Sequence, residues 1–459
     1  MSVSWAENEF GRAKLGDARR TKRLIHLAEQ RAQQPMASIP QNSGTLAECQ
    51  AAYRFFDNDQ ITAEPILASH RQATCERLQA ERLVLAVQDT TELDYTAHPA
   101  TQGLGYLEDL DHHGLYVHTT LLLTPQRVPL GILQQQVWTR DAQDFGRAAE
   151  RKDRPVEEKE SFKWLSSLEA TAEVQKTLPA TRLVNVGDSE ADVFDLFLLA
   201  QKRDQALLVR AAQDRRVTEA GQHLWAQVER QPVAGQLVVH VPREGSRPAR
   251  QATLDVRFCA VTVQPPQYRA KEHLAAVSLW GVLAREVNPP SEEAAIEWLL
   301  LTNVAVSGFA EAGERVAWYT VREVVEMFHK VLKSGCRVEH RQFDEADNLR
   351  RYLALDSVVA WRVLWLTLLG RETPEAPCTV ILESHEWKAL YCYVHKTTHW
   401  PEPVPSLRET LGWIARLGGF LGRKHDGPPG TTVIWRGLQR LNDIVATWLI
   451  FNPPLNLSV

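Results

Sequence analysis

The sequence contains few cysteines, and no two of them stand at the short spacing of a metal-binding or redox motif. Six cysteines are scattered over 459 residues, with no Cys-x-x-Cys pair. A structural zinc site or a disulfide framework needs cysteines at characteristic short spacings. The pattern therefore argues against both kinds of site and suits a reducing cytoplasm.

Long hydrophobic runs and low-complexity tracts are also scarce. The opening stretch MSVSWAENEFGRAKLGD lacks the apolar core of a signal peptide, and no apolar run approaches membrane-spanning length. No internal repeat stands out. We therefore expect a soluble intracellular protein with no membrane partner.

A strong net charge is the third feature that is missing. The formal net charge is −5, which gives no overall attraction to nucleic acid. Charge is nevertheless uneven: residues 1–35 carry seven basic residues against four acidic ones, and residues 416–440 carry five against one. Because local patches govern phosphate binding, both segments are candidate phosphate-binding surfaces.

The chain is long enough for several domains. Its length and its 44% hydrophobic content predict a globular protein of about two to four domains. Residues 1–70 are predicted as a helical module with one basic face, in which Asp17 lies near the N-cap of a helix. Residues 71–375 mix strands and helices, with a β-rich insertion at about 212–300, and residues 376–459 are largely helical.

Apolar runs predict the strands of the central region. Residues 83–87 are predicted as a buried strand that ends just before Asp89, and residues 116–138 as an antiparallel hairpin. Residues 157–175 predict a helix, and TRLVNVGDSEADVFDL predicts a second strand that ends just before Asp188. The segments ALLVRAA and IEWLLLTN predict two further strands.

The stretch YTVREVVEMFHKVLK, residues 319–333, has the apolar period of one helix and an unusual polar face. On a helix that advances about 100° per residue, five of its side chains fall within an arc of about 80°. They are Tyr319, Arg322, Glu326, Lys330 and Lys333. One interpretation is a solvated face with ion pairs between Arg322 and Glu326 and between Glu326 and Lys330. The other is a metal-binding acid inside a basic stripe that holds a phosphate.

Asp89, Asp188 and Glu326 form the candidate metal site. Two aspartates at the ends of neighbouring strands and a glutamate on a later helix can converge, and their oxygen ligands suit Mg²⁺ or Mn²⁺. Two such ions activate a water or a 3′-hydroxyl and stabilise the leaving oxygen. Taken singly, Asp89 is equally a turn residue and Asp188 equally a helix cap. The joint occurrence of the three acids beside the basic stripe favours the metal-site interpretation.

Four segments carry a resemblance: AVQDTTELDYT, VGDSEADVFDL, IEWLLLTN and YTVREVVEMFHKVLKSGCRVE. They look like the DDE motifs of bacterial cut-and-paste transposases of the insertion-sequence-four family, whose best-known members cut transposon ends through DNA hairpins. AYRFFDND, EEKESFKWL and IARLGGFLGRKHDGPPGTTVIWRGLQRL extend the similarity nearly end to end. The resemblance implies an α/β fold: a ribonuclease-H-like catalytic core with a β-rich insertion, an N-terminal helical DNA-binding module and a C-terminal helical dimerisation region.

The resemblance also implies roles for residues at the active site. Asp89, Asp188 and Glu326 would bind two Mg²⁺ ions, for which Mn²⁺ would substitute. The residues that would hold DNA near the scissile bond are Tyr319, Arg322, Lys330, Lys333 and Arg210. Trp298 would stack on a base flipped out of the duplex while the hairpin closes, and plain core packing is the alternative for this residue.

The resemblance further implies the partners. They would be double-stranded DNA, both transposon ends and target, and a second copy of the chain in a synaptic complex. Each active site would cut an end held mainly by the other subunit. The N-terminal contacts to the transposon end would be Arg19, Arg20, Lys22 and Arg23. The setting would be the bacterial cytoplasm, with the protein on the nucleoid when it is bound to DNA.

Two positions depart from the family pattern. Glu323 stands where the family has Trp, and Ser189 stands where it has Arg. Because the three acids are retained, an active transposase is the first hypothesis. A weakened copy that binds ends and inhibits transposition is the second, and a host nuclease of the same fold is the third.

Overall fold

Helices make up the N-terminal end of the chain in the computed structural model. The structure describes residues 4–141, 159–218, 223–241, 249–290, 294–423 and 426–453. The first helices are α1 (Trp5–Phe10), α2 (Ala18–Gln33), α3 (Ile39–Asn42), α4 (Leu46–Phe56) and α5 (Ala63–Leu78). Asp17 caps α2 by accepting a hydrogen bond from the backbone N–H of Arg19, as its place before the helix predicts. The predicted helical module is confirmed, while the boundary at residue 70 lies within α5 and stays a prediction.

A mixed sheet forms the core. Its first elements are β1 (Leu83–Asp94), β2 (Gly105–Tyr106), β3 (His113–Leu123), β4 (Pro129–Trp138), α6 (Phe162–Thr177), β5 (Arg182–Gly187), α7 (Phe194–Arg203) and β6 (Ala206–Arg210). β3 pairs antiparallel with both β4 and β1, whereas β1, β5 and β6 run parallel. The hairpin predicted at residues 116–138 is confirmed as β3 and β4. The helix predicted at residues 157–175 is α6, and residues 157 and 158 lie outside the described residues.

The β-rich insertion continues this sheet. Its elements are α8 (Leu224–Glu229), β7 (Gly235–Val241), β8 (Arg250–Val263), β9 (Val277–Glu286) and β10 (Glu297–Thr302). The strand order is β3-β1-β5-β6-β10-β9-β8-β7, with β2 and β4 both paired to β3. β10 is antiparallel to β6 on one side and to β9 on the other. The described part of the insertion therefore shares one sheet with β1, β5 and β6.

The remaining elements are helices. They are α9 (Phe309–Thr320), α10 (Glu323–Lys330), α11 (Ala346–Glu372), α12 (Ser384–His395), α13 (Leu407–Leu417) and α14 (Thr431–Phe451). Alternation along β1 separates the two faces of the sheet: Leu85 and Val87 pack in the core that contains α11, while Val84 and Ala86 pack with α6. The predicted class is confirmed as a mixed-sheet core between an N-terminal and a C-terminal helical region.

Helix α11 corrects one expectation from the sequence. Among the described residues it is the one helix long and apolar enough to cross a membrane, with a mean hydropathy of 1.5 over 18 residues. The expectation that no run approaches membrane-spanning length is therefore wrong for this helix. Its apolar surface is covered by protein, since 78% of that window is buried. A helix that is apolar all round is typical of the centre of a large core.

Candidate active site

Strand register places Asp89 and Asp188 level with each other. In the parallel pair of β1 and β5, Val87 lies opposite Val186, and each aspartate follows two residues later. The prediction that Asp89 ends its strand is wrong, because β1 continues to Asp94 along β3. What ends at this point is the parallel neighbour β5. The two carboxylates therefore stand at the edge where β1 loses its partner on one side.

Burial and like charge act together on these aspartates. Burial, together with the charges of Asp188 and Glu326, raises the pKa of Asp89 to about 7 against the opposing charge of Arg322. Burial also raises the pKa of Asp188, although its Oδ1 accepts a hydrogen bond from the backbone N–H of Glu190 at 2.9 Å. The negative charges of Asp188 and Glu326 thus both act on Asp89, as a shared cation site requires.

The helix predicted across residues 319–333 is broken in two places. α9 ends at Thr320 and α10 begins at Glu323, with backbone bonds from residues 324 and 325 to the carbonyls three residues earlier. Residues 331–335 then form a π-helical turn, in which the N–H of Cys336 bonds the carbonyl of Val331. The single-helix prediction is therefore wrong: Tyr319 lies on α9, and Lys333 lies on the wider turn.

Arg322 lies between the acids. Its guanidinium pairs with Glu326, as the ion-pair interpretation predicts, and its Nη1 lies 3.9 Å from Oδ2 of Asp89. Lys330 is exposed at the end of α10. Lys333 donates from Nζ to the carbonyl oxygen of Glu92 at 2.9 Å and pairs with Glu339 at 3.2 Å. The structure therefore brings Arg322 to the acids and directs Lys333 to the end of β1.

A second group adjoins the acids on the neighbouring strands. Gly187 pairs with Val209, so Arg210 on β6 is level with Asp188. Nη2 of Arg210 donates to the carbonyl oxygen of Glu297 at 3.3 Å. Burial raises the pKa of the Tyr319 hydroxyl, and the charge of Arg210 opposes this effect. The ring of Trp298 on β10 lies 5.3 Å from the Tyr319 ring at 65°, edge to face. Trp298 is half-buried, so plain core packing does not describe it completely.

Two further residues at the site escaped the sequence analysis. Nδ1 of buried His329 lies 3.7 Å from Oδ2 of Asp89, and burial lowers the pKa of His329 to about 3, so its ring is neutral. Lys163 on α6 pairs with Glu190 at 3.2 Å, and its charge lowers the pKa of Asp188. The spacing of His329 three residues after Glu326 was the available signal. No spacing in the sequence marked Lys163 as a site residue, because Lys163 and its neighbours come together only in the fold.

The two departures from the family pattern have ordinary surroundings. Glu323 pairs with Arg127, in the turn between β3 and β4, at 2.6 Å. Ser189 is half-buried in the short turn that follows Asp188. The carboxylate of Glu323 is thus bound to a cation on another element.

The predicted end-binding residues lie at the start of α2. Arg19 and Lys22 are exposed, and Arg19 pairs with Asp17 at 2.7 Å. Arg20 donates to the carbonyl oxygen of Leu15 at 3.0 Å and to Gln60, and Arg23 is half-buried. All four therefore share one end of the N-terminal module, and their contacts to DNA stay a prediction. In the second basic segment, Lys424 lies outside the described residues.

The acids fit a divalent cation by their chemistry. Among the described residues, no three Asp, Glu, His or Cys side chains are already close enough to hold a metal ion. The raised pKa of Asp89 reflects burial and two neighbouring carboxylates, and a bound cation relieves both. All three acids offer the oxygen ligands that Mg²⁺ and Mn²⁺ prefer. Asp89, Asp188 and Glu326 are therefore the residues that would hold such ions.

Comparison with known families identifies both ends of the chain. Residues 2–61 match the family described as transposase DNA-binding, and residues 358–448 match the family described as transposase Tn5 dimerisation domain. The two ends of the chain are thus similar to two domains of transposases. More particularly, the N-terminal match is to a DNA-binding domain and the C-terminal match is to the dimerisation domain of the Tn5 type, one on either side of the mixed sheet. The resemblance stated from the sequence is confirmed at this level.

Proposed function

We propose that this transposase binds the terminal inverted repeats of its own element, excises the element and joins its 3′ ends to target DNA. Excision proceeds by a nick, a hairpin and hairpin opening, in a synaptic complex of two chains. The observation that supports this proposal most is the level position of Asp89 and Asp188 next to Glu326, with Arg210 on the following strand. An anionic cluster flanked by a cation, a phenol and an indole suits DNA strand chemistry.

The acids are proposed to bind two Mg²⁺ ions, for which Mn²⁺ substitutes. Such ions would supply activation of the attacking oxygen and stabilisation of the leaving one. In the free protein Arg322 supplies the positive charge that Asp89 and Glu326 need. With cations at the acids, the guanidinium of Arg322 would be available to bind a phosphate oxygen of the DNA strand. Exposed Lys330 binds the same backbone further along.

Hairpin formation needs a base out of the stack and an aromatic surface to receive it. The half-buried ring of Trp298 offers that surface, and Tyr319 holds it from the side at 5.3 Å. The charge of Arg210 acts on the Tyr319 hydroxyl and would attract the phosphate beside the flipped base. These three residues are therefore proposed to stabilise the bent strand, while the acids would hold the cations at the scissile bond.

The test uses purified protein with DNA that carries the element's own inverted repeats and Mg²⁺. We expect nicks, then hairpins, then blunt ends in time order. Asp89→Asn should abolish all three, by at least about 10³-fold, because one acid of the metal site is lost. Binding of the same DNA in EDTA serves as the control and should match the parent. Cleavage by Asp89→Asn at the parental rate would remove the site assignment.

A second function rests on Glu323 and Ser189, the two departures from the family pattern. A copy that occupies ends without cutting them inhibits transposition by forming mixed dimers. It predicts end binding with no cleavage in Mg²⁺ or Mn²⁺. In that case Glu323→Trp together with Ser189→Arg should restore activity, and cleavage by the unaltered protein excludes this function.

A further inference from the structure

The turn between β3 and β4 carries an arginine in an unusual conformation. Arg127 has φ +72°, in the left-handed region that favours glycine. Its Nη2 donates to Oε2 of Glu323 at 2.6 Å and to the carbonyl oxygen of Thr320 at 3.3 Å. A side chain in that backbone conformation is held by its surroundings, and here two of the contacts reach another element.

Both contacts fall at the break before the catalytic helix. Thr320 is the last residue of α9, and Glu323 is the first residue of α10. Between them lies Arg322, the residue that pairs with Glu326 and approaches Asp89. The N–H of Arg322 bonds the carbonyl of Tyr319, so the break holds both predicted DNA contacts. One guanidinium thus bridges the two sides of the segment that orients Arg322.

The surrounding charges favour this bridge. Arg371, near the end of α11, donates from Nη2 to the carbonyl oxygen of Pro429 at 3.0 Å. Desolvation lowers the pKa of Arg371, the positive charge of Arg127 lowers it further, and the charge of Glu323 opposes this effect. Two positive charges therefore act on the carboxylate of Glu323, and Arg127 is the one that forms an ion pair with it.

We propose that Arg127 and Glu323 are positioning residues for strand cleavage: their ion pair fixes the break between α9 and α10, and with it the orientation of Arg322 and Glu326. The inference rests on the proposed function, since it assigns these residues to that reaction. Glu323 then acts as half of a bridge that this chain uses at a position where the family has Trp.

The test compares Arg127→Asn with Arg127→Lys. Asn tolerates the left-handed conformation as well as any residue with a side chain, so its effect reports the lost bridge and not new backbone strain. Lys keeps a charged donor, and both contacts in the parent come from a single nitrogen. We expect Arg127→Asn to slow nicking roughly threefold to tenfold with unchanged end binding in EDTA, and Arg127→Lys to retain most of the rate.

Hydrogen exchange in the free protein provides a readout that does not depend on activity. In Arg127→Asn the backbone amides of residues 321–326 should exchange roughly threefold to tenfold faster, because the bridge across the break is lost. In a Glu323→Ala background, Arg127→Asn should add no further change in exchange or in nicking. Parental exchange and parental nicking in Arg127→Asn would overturn the proposal, as would full additivity with Glu323→Ala.

A matched control pair lies elsewhere on the molecule. Arg203 and Glu169 pair at 2.8 Å with side chains 40% and 36% exposed, against 39% and 36% for Arg127 and Glu323. Arg203→Asn should leave nicking and exchange at residues 321–326 unchanged. If exchange responds to Arg127→Asn as expected while the parent cuts no end DNA, the bridge stands and the proposed function fails.

Discussion

At the scale of single residues, buried charge joins the N-terminal helices to the hairpin. The carboxylate of Glu9 accepts hydrogen bonds from Nδ1 of His70 and Nη1 of Arg77, both at 2.6 Å. Burial opposes its ionisation, yet these bonds and charges lower the pKa of Glu9 to about 2. Burial lowers the pKa of His70, and its Nε2 accepts from the backbone N–H of Ile132 at 3.0 Å, so Nε2 carries no proton. The contact between the N-terminal helices and the hairpin therefore depends on the ionised carboxylate of Glu9.

Glu9→Gln should therefore destabilise the protein in a manner that depends on pH. Because the pKa of Glu9 is lower in the folded chain than its ordinary value of 4.5, its stabilisation is complete above that value and is lost as pH falls towards 2. We expect a loss of about 2–4 kcal/mol in the free energy of unfolding at pH 7, measured with urea. The difference from the parent should shrink at pH 3, and an equal difference at both values would contradict the assignment.

Glu64→Gln is a suitable control for this measurement. Glu64 pairs with Arg71 on the same helix, and its side chain is 67% exposed. An exposed pair contributes about 0–1 kcal/mol, so its removal should change little at either pH.

At the scale of elements, residues 319–333 were predicted correctly in their charged contacts and wrongly in their helical continuity. Its residue types predicted an acid beside a basic group, and Arg322 and Glu326 do lie together. The breaks escaped prediction for a geometric reason. Bonds to the third residue back tighten the chain at 321–325, and a π-helical turn loosens it at 331–335. The two deviations compensate, so the apolar period over the whole stretch stays close to 3.6.

Strand β1 shows the same division. The apolar run at residues 83–87 predicted a buried strand, and it is buried, but the polar residues after it suggested an end. They remain in the strand because β3 pairs with them on one side. Polar side chains are tolerated there because β5 has already ended, and that missing neighbour is visible only in the fold. Asp89 could therefore be singled out from the sequence. The register that places it level with Asp188 could not, because strand pairing is visible only in the fold.

Arg31 on α2 provides a prediction at this scale. Its guanidinium donates to both carboxylate oxygens of Asp356 on α11, at 2.9 and 3.0 Å, and both residues are buried. Arg31→Met leaves Asp356 without this partner and should cost about 3–5 kcal/mol in urea unfolding. Arg31→Met with Asp356→Leu should recover at least half of that loss, because the buried carboxylate is removed together with its partner. The backbone carbonyls of Pro35 and Ala37 keep a donor in Arg341.

A double variant as unstable as Arg31→Met alone would contradict this account. It would show that Arg31 acts mainly through its packing and its backbone contacts. Arg54→Met, on exposed α4 surface, tests for a general effect of exchanging Arg for Met and should change stability by less than about 0.5 kcal/mol.

At the scale of the whole molecule, α14 ends on an apolar surface. Ile450 and Phe451 are 75% and 78% exposed, and the Trp448 and Trp400 rings lie close by, 6.4 Å apart. Exposed apolar patches of this kind mark interaction sites. The patch continues directly from the part of the chain that matches a dimerisation domain, which ends at residue 448. We expect it to lie in the interface between two chains.

Ile450→Ser with Phe451→Ser should therefore weaken self-association. We expect at least about a tenfold rise in the dimer dissociation constant by analytical ultracentrifugation, since two large apolar side chains leave the interface. Binding of a single DNA end should be unchanged, while complexes that pair two ends should be lost. Leu46→Ser is the control, because Leu46 is 74% exposed on α4 at the opposite end of the chain. Unchanged self-association in the double variant would place the interface elsewhere.

The fold as a whole was predictable in its class and in the order of its parts. Helical ends, a strand-rich centre and an insertion follow from apolar periods and local charge. The single ten-stranded sheet did not follow, because pairing between β10 and β6 joins residues about ninety apart along the chain. The domain boundaries at residues 70 and 375 stay predictions, and α11 runs up to the second of them.

The pairing of β10 with β6 determines where the β-rich insertion joins the rest of the sheet. Arg210 at the end of β6 lies directly opposite Leu300 on β10, and the N–H of Ala211 bonds the carbonyl of Leu299 at 2.7 Å. The chain therefore leaves the core and re-enters it at adjacent points, where a short hairpin loop would serve equally well. Adding or removing the intervening strands at this point therefore requires no displacement of Asp89 or Asp188. Trp298 belongs to the part of the chain that returns to the core there.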